Sequence, residues 1–527
     1  MAILACALCC APALFGCGRA QSGRSASPAP APRAATPTPI DTLMPARVSH
    51  YPGNFDTLYT RLIEQEISVF DMQEDVSAGL YSYEDLTRFY LDRIEEYASS
   101  NIILSTLSGA RSRAAACDRN PGNGSPLYGI PFIVLDNIDV AGAPTTGGAY
   151  LLRGREPESD AFLIRMLAVQ GAIPLAKANL DELSGLVIRY SEKVPHGSSL
   201  GGIPVSAYGS RHDAGGASFG AAMSVTRGLA PLAVGTDTVG DVLKSACANS
   251  VVGIRPTHAL VSRTGLIPAN PAFDVAVPFA KSVKEAAYLL YAMQGSDVDD
   301  AYQQSGDYAP INDPEEFLNA TAASALEGRR VLVFEGGDEL PEEALNALVH
   351  AGAQLVGGLT YDPYAEDAAM EKLSGMPYIY GVRDSVNAFL AVQAAEGVKS
   401  IPQLLRYNEQ NGEAIPYGQA RLNALALLAP MHYASVDTVD RYISEHSLDQ
   451  FMAENDIDLI LSCDAVLAAY NHTPLNPSVS LPLGSTRANG GGDLRSAVFT
   501  ARAGNDELAL RAAYLLESGL GSLRVKP

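Results

Sequence analysis

The 527-residue chain is short of basic residues, with 37 Lys and Arg against 59 Asp and Glu and a net charge of −22. Such a surface repels phosphate backbones, so nucleic acid is excluded as the expected partner. Cysteine is scarce beyond the leader: four of the seven fall in the first 17 residues, and Cys117, Cys247 and Cys463 are far apart. No C-x-x-C pair occurs in the body of the chain, which excludes a zinc ribbon and a thioredoxin-type site. The eight histidines form no i, i+4 pair, so the sequence supports no metal site, and no cofactor is implied. No apolar run of about 18 residues follows the N-terminus, which excludes a polytopic membrane protein. Tryptophan is absent. The remaining composition, 47% hydrophobic and 18% charged, excludes global disorder.

What is present begins with a short apolar stretch over residues 3–15. It is too short to span a bilayer and reads as a signal-peptide core. It ends in Leu14-Phe15-Gly16-Cys17, which resembles the lipobox of bacterial lipoproteins, where the Cys becomes the lipidated first residue. The Ala-, Pro- and Ser-rich stretch that follows reads as an extended tether. The expected organisation is a signal segment at 1–17, a tether at 18–50 and one domain at 51–527. The expected location is the bacterial cell envelope, facing the periplasm, with lipid on Cys17 holding the chain to the membrane. No Lys or Arg precedes the apolar stretch, so an ordinary secretory signal and a true start further downstream remain alternatives.

The body alternates short apolar runs with amphipathic segments. Ser82-Tyr83-Glu84-Asp85 reads as a capping box, followed by Leu86, Phe89, Tyr90, Ile94 and Tyr97 at helical spacing. Residues 130–135 form a continuous apolar run, the mark of a strand covered on both faces. Residues 172–175, 331–334 and 459–462 read as further strands, and 162–167 and 342–350 as helices. Asn489 and the three glycines after it read as a surface turn. The alternation predicts an α/β fold with a largely parallel or mixed sheet. Cys117, Cys247 and Cys463 are expected as buried small hydrophobes.

The most informative stretch contains Gly215-Gly216-Ala217-Ser218-Phe219-Gly220 and then Gly235-Thr236-Asp237-Thr238-Val239-Gly240-Asp241. A phosphate cradle needs Lys where Asp241 stands, and a carboxylate there repels phosphate. Two explanations remain: glycines for close packing, and a turn presenting backbone N–H groups as an oxyanion hole. The stretch resembles the signature of the amidase superfamily. Pro126-Leu127-Tyr128-Gly129-Ile130-Pro131 with Asp136-Asn137-Ile138-Asp139, and Lys177-Ala178-Asn179-Leu180-Asp181-Glu182, resemble further blocks of that family. So do Pro416-Tyr417-Gly418-Gln419, the run from Asn476 to Gly484 and a closing helix over 504–517. The resemblance implies the amidase-signature fold, a central mixed twisted β-sheet flanked by helices, and a small-molecule amide or peptide as ligand.

It also implies a chemistry of a Ser nucleophile, a relay Ser and a neutral Lys base, each doing a job no apolar group can do. Carried over position by position, the Lys is Leu135, the relay Ser is Ala217 and the nucleophile is Asp241. The Arg two residues past the nucleophile is Leu243. The resemblance therefore points to a protein that has lost amide hydrolysis and retains a binding or scaffold role. The alternatives are a repurposed enzyme with Asp241 as acid or base, and a residual hydrolase of C–N bonds. The expected pocket comprises Ser218, Thr238, Val239, Gly240 and Asp241. If a helix follows Asp241, Lys244 and Ser245 lie on its face one turn on, and a Lys244–Asp241 salt bridge is expected. Asp241 is also a candidate cap for that helix. Asp136, Asn137 and Asp139 are expected to tie loops together.

Overall fold

The computed structural model describes residues 54–527 apart from 121, 187–195, 210–211, 306–309, 319–324, 335–339, 416–417, 429–432, 464–475 and 487–492, and single positions 366, 368, 369, 371, 372, 374 and 395. The leader, Cys17 and the tether lie outside the described residues, as do positions 416–417 and the turn at 489–492.

Eleven strands form one sheet: β1 (Ile103–Thr106), β2 (Pro131–Leu135), β3 (Ile173–Ala178), β4 (Leu232–Asp237), β5 (Val252–Arg255), β6 (Val275–Ala280), β7 (Arg330–Val333), β8 (Gln354–Val356), β9 (Leu459–Cys463), β10 (Ser478–Ser485) and β11 (Leu494–Ala501). Their order is β1-β3-β2-β4-β6-β5-β10-β11-β9-β7-β8. Pairing is parallel through β3-β2-β4 and again through β9-β7-β8, and antiparallel elsewhere. The expected mixed α/β sheet is thus present. Every residue of β2, β3 and β6 is buried, which explains why β2 reads as an unbroken apolar run rather than as an alternating pattern. β3 extends past the expected 172–175 as far as Ala178 and carries Lys177 into the core.

The Tyr83–Glu96 helix opens on the expected capping box, with Ser82 and Asp85 exchanging side-chain bonds. The Phe219–Thr226 helix is buried along its whole length and packs on β2, β4 and β6. The Asp241–Ala248 helix packs on β5 and β10, and the closing Asp506–Leu520 helix on β10 and β11. A second apolar cluster lies under the Met376–Gln393, Ile401–Gln410 and Ala420–Ala426 helices and includes Leu183, Leu186 and Ile267. No helix among the described residues is long and apolar enough to cross a membrane. The cysteine expectation is corrected in part. Cys463 is buried, but Cys117 and Cys247 are only half-buried, because each sits on the outer part of a helix that packs by one face.

Candidate functional site

The site is built where β4 runs out. Asp237, its last residue, turns its carboxylate back on the following loop and accepts from the N–H groups of Gly240 (2.8 Å) and Val242 (2.9 Å). The same carboxylate pairs with the fully buried Arg255 of β5. Gly240 then takes a left-handed conformation, φ 89°, which suits a residue without Cβ, and the helix starts at Asp241. Capping therefore falls to Asp237. Asp241 makes no side-chain cap bond, which corrects that expectation: at the first helical position its carboxylate is already past the N–H groups a cap must reach. The adjacent Thr238 hydroxyl donates to Asp274 at 2.8 Å. Burial pushes the Asp274 carboxyl above the usual carboxylate range. Of the loop's backbone donors, Gly240 N–H is taken by Asp237, whereas those of Val239 and Asp241 donate to no described residue.

Asp241 instead meets Lys244 at 3.3 Å, the expected i, i+3 pair, with the two side chains 30% and 42% exposed. Ser245 parts company with them. It is buried, and its hydroxyl accepts from the N–H of Gly216 at 3.0 Å. The Gly215–Ala217 turn lies directly on this helix. A Cβ at position 216 would stand 2.2 Å from the Asp241 carbonyl oxygen, and one at 220 would stand 2.0 Å from that of Asn179. Close packing alone thus requires both glycines. Ala217 is half-buried beside the turn, and its carbonyl accepts from Asp181 N–H at 3.1 Å. Ser218 is buried. Its hydroxyl donates to the Thr236 carbonyl at 2.5 Å and accepts from Thr236 N–H at 3.2 Å.

Leu135 ends β2 at 1% exposure, a core side chain among core side chains. A nearby amine exists, since Lys177 is fully buried and burial lowers it to about 8, opposed by Asp136. Strand register decides whether it can stand in for a lysine at 135. β2 and β3 pair in parallel with Val134 opposite Lys177 and Leu135 opposite Ala178. Side chains alternate faces along a strand, so Lys177 shares the face of Val134 and points away from that of Leu135. Its ammonium is spent on the Ile138 carbonyl and on Thr145 Oγ1 at 3.1 Å, with Asp136 at 3.9 Å. Asp136, Asn137 and Asp139 tie loops as expected. Asp136 accepts from Thr146 and Gly148, Asn137 donates to Thr236, and Asp139 pairs with Arg155.

Two polar groupings carry no signal in the sequence. The His196 ring lies between two carboxylates, with Asp181 2.7 Å from Nδ1 and Asp213 2.9 Å from Nε2. Asp213 also accepts from Gly215 N–H at 3.0 Å, so the chain braces the Gly215–Ala217 turn. The partners are 15 or more residues apart, which no local pattern exposes. Glu182 is buried and takes the N–H (2.8 Å) and hydroxyl of Ser199. Burial pushes it from 4.5 up to about 7, against those two bonds. Its folded form therefore holds a proton at pH values where the unfolded carboxyl has lost it. That stabilises the fold most below about pH 4.5, and the contribution fades as pH rises through about 7. Glu182→Gln is expected to flatten this decline in a series of thermal melts and to add on the order of 3 kcal/mol at pH 8. Superimposable melt series for the two proteins would contradict the assignment.

A mixed sheet wrapped by helices, with a glycine turn laid across a helix N-terminus, is the architecture of an amidase-type fold. An amidase family protein from Bacillus anthracis superposes with a TM-score of 0.78 at 27% identity, covering 93% of this chain and 96% of its own. The native peptide amidase of Stenotrophomonas maltophilia gives 0.78 at 26% identity, with coverages of 88% and 99%. A probable amidase of Arabidopsis thaliana is 26% identical over 436 residues, covering 80% of this chain and 84% of that protein. The Amidase family profile matches residues 85–475. The chain belongs to the Amidase family.

Proposed function

We propose that this protein keeps the amidase fold to bind an amide or peptide and does not hydrolyse it. One observation carries the reading: the positions that the resemblance assigns to base, relay and nucleophile hold a buried Leu135, a methyl at Ala217 and an Asp241 carboxylate paired with Lys244. None can perform the assigned role. Lys177, the buried amine close by, lies on the opposite face of the sheet. The retained pieces suit binding. Half-buried Ala217, Thr238 and Val239 adjoin the backbone donors of Val239 and Asp241. In this reading an amide carbonyl accepts from those donors and an amide N–H faces Asp241. The relatives' names, amidase and peptide amidase, support the ligand class. A serine-directed phosphonate probe is expected to leave the protein unlabelled, and labelling at any serine of this turn would refute the reading.

A second reading has its own support. Asp241 is partly open and has a titratable neighbour in Lys244 at 3.3 Å, the minimum for acid–base chemistry by a repurposed enzyme. Lys244 is already engaged by the Asp241 carboxylate, which is why binding is preferred.

We further propose that lipid on Cys17 holds the protein at the cell envelope. The support is Leu14-Phe15-Gly16-Cys17 followed by a tether. Cys17→Ala is expected to move the protein from the membrane to the soluble fraction, and equal partitioning of both forms would refute the anchor.

A further inference from the structure

Three features invite a further function: the groove between Met166, Leu260, Tyr291 and Ile311, the His196 chain, and, within the proposed site, the Asp241–Lys244 pair. The groove shows nothing that selects an occupant, and the His196 chain braces the turn. The pair carries an argument.

At this site the resemblance expects one amine, at 135, and no carboxylate at 241. The chain has Leu135 and Asp241, so an anion stands where the resemblance places neutral groups. The neighbouring carboxylates cannot share in that charge. Asp237 is closed by Arg255, Gly240 and Val242, and Asp274 is buried under Thr238 and Ala269. Asp213 is exposed but already meets His196 and Gly215 N–H, and Asp241 faces outward. The positive end of its helix favours an anion at this first position. Its partner among the described residues is Lys244, on one oxygen at 3.3 Å. Both side chains are partly exposed, and a pair of this kind contributes only about 0.2–1 kcal/mol. It can therefore be exchanged for another cation at little cost. Ala217 and Val239, at the neighbouring positions of the two turns, are half-buried and carry no donor side chain.

Resting on the binding role proposed above, we infer that the ligand presents an ammonium group to Asp241 and displaces Lys244 from it. An alkylamine and the free N-terminus of a peptide share that chemistry. Lys244 then acts as a built-in competitor. Removing it strengthens ligand binding, an outcome that a purely structural ion pair does not produce.

The test is calorimetric titration of the full-length protein with hexylamine, with trileucine, with N-acetyl-trileucine and with hexanamide. Hexylamine or trileucine is expected to bind, and acetylation of the peptide is expected to weaken binding at least tenfold. Asp241→Asn should weaken the ammonium ligand at least tenfold. Lys244→Ala should tighten the ammonium ligand several-fold. Thermal melts of both variants confirm that each is folded. Binding by hexylamine alone, or by trileucine alone, identifies which source the site takes. If hexanamide binds as well as hexylamine, or if Lys244→Ala weakens the ammonium ligand or leaves it unchanged, the inference fails while the non-hydrolysing reading stands. Absence of binding by every ammonium ligand also overturns it. Turnover of hexanamide that depends on Asp241 defeats the underlying reading instead.

Discussion

Asp237→Ala is expected to destabilise the protein by about 3–5 kcal/mol, the cost typical of stripping one partner from a buried ion pair. Asp237 and Arg255 are both fully buried at the side chain. Burial lowers the Arg255 guanidinium to about 9, and removing Asp237 takes away the carboxylate that this buried charge meets. The variant also loses the two bonds to Gly240 and Val242 that start the Asp241–Ala248 helix. Asp237→Asn keeps an acceptor and should cost less. Chemical denaturation of the three proteins measures the series, and a loss below about 1 kcal/mol for the alanine variant would mean that the turn is held by something else.

The second large effect is the absence of one. Asp241→Ser restores the attacking hydroxyl but leaves Leu135 and Ala217 in place, so amide cleavage by this variant is expected to stay at the buffer rate. Loss of a single member of such a unit costs roughly 10⁴ to 10⁶ in rate, and the losses do not add, so one repair among three is invisible. Only Leu135→Lys with Ala217→Ser and Asp241→Ser brings all three groups together. Even there, a Lys at a position 1% exposed must be desolvated, Val239 occupies the loop and Gly240 N–H remains on Asp237. Cleavage of an aryl amide by Asp241→Ser alone, measured against buffer, would show that the base and relay are supplied from elsewhere.

Much of the scaffold was legible because it depends on local pattern. The capping box at Ser82, the helix over Glu342–His350 and the buried runs of β2 and β9 each follow from periodicity and burial within a few residues. The Lys244–Asp241 pair was legible for the same reason, since helix geometry fixes which side chains meet. What escaped was long-range. Asp237 reads as one letter of a motif, and its role appears only when β5 brings Arg255 beside it. Lys177 ends an otherwise apolar run, a signal that could have marked it. Its orientation still needed the register of β3 against β2. His196 has no pattern at all, because Asp181 and Asp213 reach it from separate loops.

The most direct test of the central claim is turnover by the purified wild-type protein. Amide release from a panel of aryl amides, fatty amides and peptide amides is followed beside an Asp241→Ala control and a buffer blank. The account predicts the same rate in all three for every substrate. Cleavage by the wild type that disappears in Asp241→Ala would contradict it and make Asp241 the centre of a different chemistry.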